Sequence, residues 1–145
     1  MIHTRKPRVG IIGMGHFIYW PQFDGLLEEL KQKQVDFAGF FSDNVEVIDL
    51  GFVDDVDSSM IALKRAKTED LDALFIIMAT YITSQTVFPF AKYLDIPQIL
   101  VGIQPLDRLD YSKTTPTCSS ATTTSAPCRS SPACISASVR RSPSI

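Results

Sequence analysis

Apolar residues are not spread evenly along this chain. They gather into short continuous runs separated by stretches of mixed, helically spaced character. The first run, over 8–13, contains Val9, Ile11 and Ile12 with small Gly10 and Gly13. A run of this kind fits a strand buried on both faces, as in a parallel sheet. The pattern predicts further strands over 35–41, 71–78 and 97–102, and an extended run over 45–53 with Val45, Val47 and Phe52 turned inward. Ser42, Asp43 and Asn44 punctuate the interval between the second and third of these segments. Between the runs lie helical patterns. One follows Pro21, with Phe23, Leu26, Leu27 and Leu30 on a single stripe. A second starts at the Asp54-Asp55 and Asp57-Ser58-Ser59 cluster and runs to about Lys67. A third spans Ser84 to Leu94, with Pro89 in its first turn or kinking it. Strands alternating with helices predict an α/β domain: a three-layer, Rossmann-like (flavodoxin-like) parallel sheet of four or five strands with helices on both faces.

Composition changes the picture after residue 111. Every acidic residue lies at or before Asp110, the last aromatic is Tyr111 and the last glycine is Gly102. From Ser112 the chain is mainly Ser, Thr, Pro, Ala, Cys and Arg, and holds all three cysteines, Cys118, Cys128 and Cys134. Such a segment cannot bury enough apolar surface to offset the entropy of ordering it. The expected organisation is therefore a flexible lead-in over 1–7, an α/β domain over 8–111 and a disordered Ser/Thr/Pro-rich tail over 112–145. A net charge of −2 argues against a nucleic-acid surface, which needs a clustered basic patch. Neither a signal-peptide core nor a membrane span is apparent, so no membrane partner and a cytoplasmic protein are expected.

Candidate chemistry concentrates where strands should end. In a doubly wound sheet, ligands sit beyond the carboxyl ends of the strands. Three such ends are expected to converge: the turn from Gly15 to Trp20, the Thr80-Tyr81 loop, and Gln104. A site lined by His16, Tyr19, Trp20, Tyr81 and Gln104 suits a small polyhydroxylated ligand. Aromatic faces cover its C–H patches, while ring nitrogens, phenols and the amide meet hydroxyls. Tyr19 and Trp20 equally fit a hydrophobic staple closing the first helix. The rival reading is a nicotinamide-binding oxidoreductase domain. Gly13 and Gly15 supply two glycines of G-x-G-x-x-G, but Ile18 stands where the third belongs, and Asp43, a candidate ribose ligand, equally fits a turn former. A third reading is a non-catalytic flavodoxin-like sensor, whose usual acidic phosphoacceptor is replaced at the strongest strand end by Met78-Ala79-Thr80. Metal catalysis needs several converging ligands, whereas the chain has two histidines, His3 and His16, and no Cys-x-x-Cys. Asp54, Asp55 and Asp57 read as a helix cap in preference to a cation site. No G-x-S-x-G nucleophile elbow occurs. No catalytic residue, metal ligand or disulfide framework is assigned.

The run G-M-G-H-F-I-Y-W-P-Q-F after an initial strand resembles the N-terminal domain of the L-fucose/L-arabinose isomerase family. That family carries a Gly-Ser-Gln-His-Leu-Tyr-Gly turn here. Gly13, His16 and Tyr19 match it if one residue is inserted near Ile18, and Gly15 replaces the glutamine. L-D-A-L-F-I-I-M-A-T-Y is similar to the family strand ending in His-Thr-Phe, with Ala79 in the histidine's place and Thr80 and Tyr81 following. I-P-Q-I-L-V-G-I-Q-P-L resembles the strand ending in Thr-Gln, which sets Gln104 on a substrate-facing glutamine. The resemblance covers about residues 7–111. It implies an aldose–ketose isomerase in which a divalent metal, usually Mn2+, holds the sugar and paired glutamates move protons through an enediol. It implies that later domains supply the metal ligands and that this domain lines the sugar pocket and a subunit interface of a homo-oligomer. On that reading this chain is an N-terminal fragment that binds no metal itself and is inactive alone.

The tail fits a shifted reading frame beginning near residue 115. Residues 117–129 can be encoded so that the same bases, read one position back, spell Met-Gln-Leu-Cys-Asn-Asp-Asp-Ile-Cys-Ala-Met-Pro. That string has the acidic and apolar balance that the tail lacks. A Ser/Thr-rich linker is the other reading. Sequencing the coding DNA across Lys113 to Cys118 checks this. The expected result is a one-base discontinuity there, and an uninterrupted gene whose relatives share the same tail contradicts it.

Overall fold

The computed structural model describes residues 5–104 and 134–140; for Gln104 and Cys134–Arg140 only the backbone is described. Strand β1 is Arg8–Met14. A 3-10 turn follows over Phe17–Gln22. The remaining elements are α1 (Leu26–Ala38), β2 (Glu46–Val53), α2 (Val56–Thr68), β3 (Ala73–Met78), α3 (Ser84–Tyr93), β4 (Gln98–Gln104) and β5 (Cys134–Arg140). They build one sheet in the order β2-β1-β3-β4-β5. β1 pairs parallel with both β2 and β3, and β3 pairs parallel with β4, so the protein is α/β with four parallel strands. β5 joins antiparallel, from Gln98↔Arg140 to Gln104↔Cys134.

Consecutive residues of the parallel strands feed two separate apolar clusters, because successive side chains in a strand point to opposite faces. Ile12, Leu74 and Ile76 pack with Ala62, Leu63 and Ala66 of α2 and with Phe90 of α3. Ile11, Ile77 and Val101 pack with Phe37 of α1, supported by Ala38 and Phe41. Ile11, Ile12 and Phe90 are wholly buried. Truncating such residues to Ala costs about 2–5 kcal/mol each.

The strand expected over 35–41 is not formed. Those residues continue α1 to Ala38 and then turn. The buried residues Leu26, Leu30, Gln34 and Phe37 recur at helical spacing, and that stripe overrides the β-branched and aromatic character of the segment. The helix expected directly after Pro21 also differs: Pro21 lies inside the 3-10 turn, and α1 starts at Leu26. In β2 the fully buried residues are Ile48, Leu50 and Val53, whereas Val47 and Phe52 are half-buried, as is Val45 before the strand. Val47 packs against the second apolar cluster. For Phe52 and Val53 the cause is a bulge: pairing with β1 jumps from Ile11↔Asp49 to Gly13↔Phe52. Gly51 sits there at φ +89°, a conformation open to glycine and strained for other residues. Asp49 Oδ1 accepts from Gly51 N at 2.8 Å and from Gln34 Nε2 at 2.7 Å, which ties the bulge to α1. Pro89 occupies the middle of α3 and is buried. Within the tail expected to be disordered, Cys134–Arg140 is a strand, and the rest of 112–145 lies outside the described residues. Ile135, Ala137 and Val139 alternate with Ser136 and Ser138, a period-two pattern that the overall composition concealed. In the expected lead-in, Arg5 pairs with Asp72 at 2.9 Å and Lys6 donates to the Asp43 carbonyl at 2.7 Å; residues 1–4 lie outside the described residues.

The amino-terminal edge of the sheet is held by charge. Arg8 reaches Glu46 at 3.2 Å and Glu69 at 3.1 Å, and its hydrogen bond and ion pair with Glu46, then those with Glu69, raise its pKa above the ordinary value. The start of α2 is a capping box: Asp55 accepts from Ser58 N at 2.7 Å, and the Ser58 hydroxyl accepts from Asp55 N at 3.2 Å. Those Ser58 bonds hold the Asp55 carboxyl below its ordinary 3.8. The folded protein therefore takes up that proton less readily than the unfolded chain. The cap's contribution is complete above pH 3.8 and fades as the pH falls through the lowered folded value. Asp55→Ala is expected to cost about 1 kcal/mol at neutral pH. Urea unfolding of both proteins checks it, with the gap narrowing in strong acid.

Candidate functional site

At the carboxyl end of β1 the chain bonds to both neighbouring strands. The Met14 carbonyl accepts from Ala79 N at 2.9 Å, just past β3, and Gly15 N donates to the Val53 carbonyl of β2 at 2.9 Å. One residue later His16 N donates to Thr80 Oγ1 at 3.2 Å. Thr80 is almost wholly buried, and its hydroxyl in turn donates to the Tyr81 carbonyl at 3.2 Å. A single side chain thus fixes the residue after Gly15 against the loop after β3. This is where strand order reverses between β1 and β3, the place where open α/β sheets form a ligand crevice.

The 3-10 turn then folds back over the strand ends. His16 precedes it, and its carbonyl accepts from Tyr19 N at 3.1 Å. Around the His16 ring stand Phe17 at 4.9 Å, Tyr19 at 6.3 Å and Tyr81 at 6.4 Å between centroids. Tyr19 also stacks with Phe23 at 6.4 Å. Phe17, Ile18 and Tyr81 are about half exposed, so the cluster has an apolar rim open to solvent. His16 Nδ1 is buried and has no hydrogen-bond partner among the described residues. Leaving such a group unpaired costs about 1–3 kcal/mol.

Of the five residues expected to line the site, His16, Tyr19 and Tyr81 come together. Trp20 is turned to the other side. Its Nε1 donates to Asp54 Oδ2 at 2.6 Å, and its ring meets Phe52 edge-on at 5.8 Å. Gly15 makes that packing possible, since a Cβ there would lie 2.7 Å from the Trp20 ring and 3.1 Å from Phe52. Trp20 is therefore the clasp that binds the turn to β2. Gln104 ends β4 on the same carboxyl edge, following the Ile77↔Val101 pairing by three residues, and its side chain lies outside the described residues.

Thr80, Phe17 and Asp54 are the residues that sequence reasoning did not assign to the site. The Asp54-Asp55 doublet held a usable signal, because only one of two adjacent residues can cap α2. Asp55 does so, and Asp54 is left to hold Trp20 while its carbonyl accepts from Phe17 N at 3.4 Å. Among the described residues no group of His, Cys, Asp and Glu could hold a metal ion. No helix among them is long and apolar enough to cross a membrane. What the arrangement offers is an imidazole, two phenols and aromatic faces: hydrogen bonding to uncharged hydroxyls, with apolar walls.

The chain matches no family model, no curated protein and no solved structure.

Asp54→Ala is expected to release the indole. Stability should fall by about 1.5–3 kcal/mol, the range for a hydrogen bond to a charged group. Trp20 is the one tryptophan of the chain, so its emission should shift to the red, whereas Asp57→Ala should leave it in place.

Proposed function

We propose that this chain is the sugar-lining N-terminal domain of an aldose–ketose isomerase of the L-arabinose/L-fucose type. The observation that carries the reading is the meeting of His16, Tyr19 and Tyr81 at the reversal between β1 and β3, with His16 Nδ1 buried and unpaired. A three-layer, flavodoxin-like arrangement is part of it. The order β2-β1-β3-β4 corresponds to the first four strands of that fold, and α1 packs with a different apolar cluster from α2 and α3. His16 and Gln104 hydrogen-bond sugar hydroxyls, and Tyr19 and Tyr81 wall the pocket. Trp20 acts on the pocket by holding the turn. Mn2+ and the glutamates that bind it belong to other parts of a full-length, cytoplasmic, oligomeric enzyme, so the chain alone turns nothing over.

The dinucleotide reading is weaker on geometry. A pyrophosphate needs a helix N-terminus at the glycine turn. Here a 3-10 turn follows Gly15, α1 starts only at Leu26, and Trp20 and Phe52 crowd the space beside Gly15.

Isothermal titration with L-arabinose, L-fucose and NADH tests the proposal. A fragment with part of a pocket should bind a sugar with a Kd of roughly millimolar order, and His16→Ala should weaken it tenfold or more, about 1.4 kcal/mol. A coupled ketose assay with Mn2+ should read zero. Micromolar NADH binding without a sugar response contradicts the proposal, and ketose formation by the chain alone contradicts the assignment of its catalytic groups elsewhere.

A further inference from the structure

The two outer strands of the parallel part of the sheet, β2 and β4, are unlike. β2 forms one edge and is defended: Glu46 and Asp49 are exposed charges, and a bulge at Gly51 interrupts the strand. Charges and bulges are the usual means by which edge strands avoid pairing with other chains. β4 has neither. Its sequence, Gln98-Ile99-Leu100-Val101-Gly102-Ile103-Gln104, contains no charged residue and no proline. It is covered only by β5, which pairs with it along its whole length.

The β4 sequence is also nearly the same in both directions. About Val101, Gln98 mirrors Gln104 and Ile99 mirrors Ile103. Two copies of β4 laid antiparallel about a two-fold axis at Val101 would set each glutamine opposite a glutamine and each Ile99 opposite an Ile103. That is an isologous contact, the commonest way in which soluble chains dimerise. β5 uses this same centre, with Val101 opposite Ala137.

We propose that Cys134–Arg140 is an intramolecular guard on the β4 edge, and that withdrawing it lets two copies of the chain pair antiparallel through β4. The guard sits in a part of the chain with little else to bury, and it belongs to the same molecule. Pairing within one molecule does not weaken on dilution, so the guard outcompetes a second copy at low protein concentration.

The test keeps the full chain. Ala137→Pro together with Ser138→Pro puts a proline at both alternations of β5, so that at least one ladder donor toward β4 is lost. Hydrogen exchange and light scattering are read on both proteins. In the unaltered chain, the β4 amides that face β5 should exchange at least tenfold more slowly than open amides, and the mass should be that of one chain, 16.1 kDa. The double variant should move toward twice that mass as concentration rises, with β1 amides still protected as the control for folding. Two results overturn the proposal. One is free exchange of those β4 amides in the unaltered chain, which needs no variant to fold. The other is a folded double variant that remains a single chain at every concentration.

Discussion

The end of β1 must satisfy two neighbours at once. Met14 accepts from the β3 side, Gly15 donates to the β2 side, and His16 is then caught by the Thr80 hydroxyl. Backbone groups buried in a sheet need partners, and at a reversal of strand order the chain can no longer find them along one ladder. The divided bonding is what lifts the following residues out of the sheet and holds them over its edge. The 3-10 turn, the clasp of Trp20 on Asp54 and the gathering of rings around His16 all follow from it.

Much of this was legible in the residues. The alternation of apolar runs with helical stripes located β1, β3, β4 and α2 to within a few residues, because strands buried on both faces leave uninterrupted apolar runs. The Asp55 cap was legible because an acidic residue before a helical stripe has a mechanism. Residues 35–41 misled because Val35, Phe37 and Phe41 suit a strand locally, while the helical stripe begun at Leu26 claims Phe37. The register of β2 was hidden because Gly51 adds one residue to the alternation. A bulge of that kind depends on the partner strand and on Gln34 reaching across from α1, neither of which is a local property.

The candidate site was half legible. His16, Tyr19 and Tyr81 follow from knowing which turns lie at the carboxyl edge. The role of Trp20 does not, since its direction is decided by an acceptor far along the sequence, Asp54, and by the missing side chain of Gly15. One half of the aromatic turn is thus spent on anchoring and the other half is open. The same division runs through the sheet, where β2 guards its own edge and β4 relies on β5.

The account stands on Thr80 holding His16 in place, and Thr80→Val tests it most directly. Valine has nearly the same shape and lacks the hydroxyl that accepts from His16 N and donates to the Tyr81 carbonyl. Amide exchange at His16 should quicken about fivefold, the worth of roughly 1 kcal/mol for one hydrogen bond, while Ile12 in the sheet stays as protected as before, and L-arabinose binding weakens with it. An unchanged His16 amide with undiminished sugar binding would contradict the account.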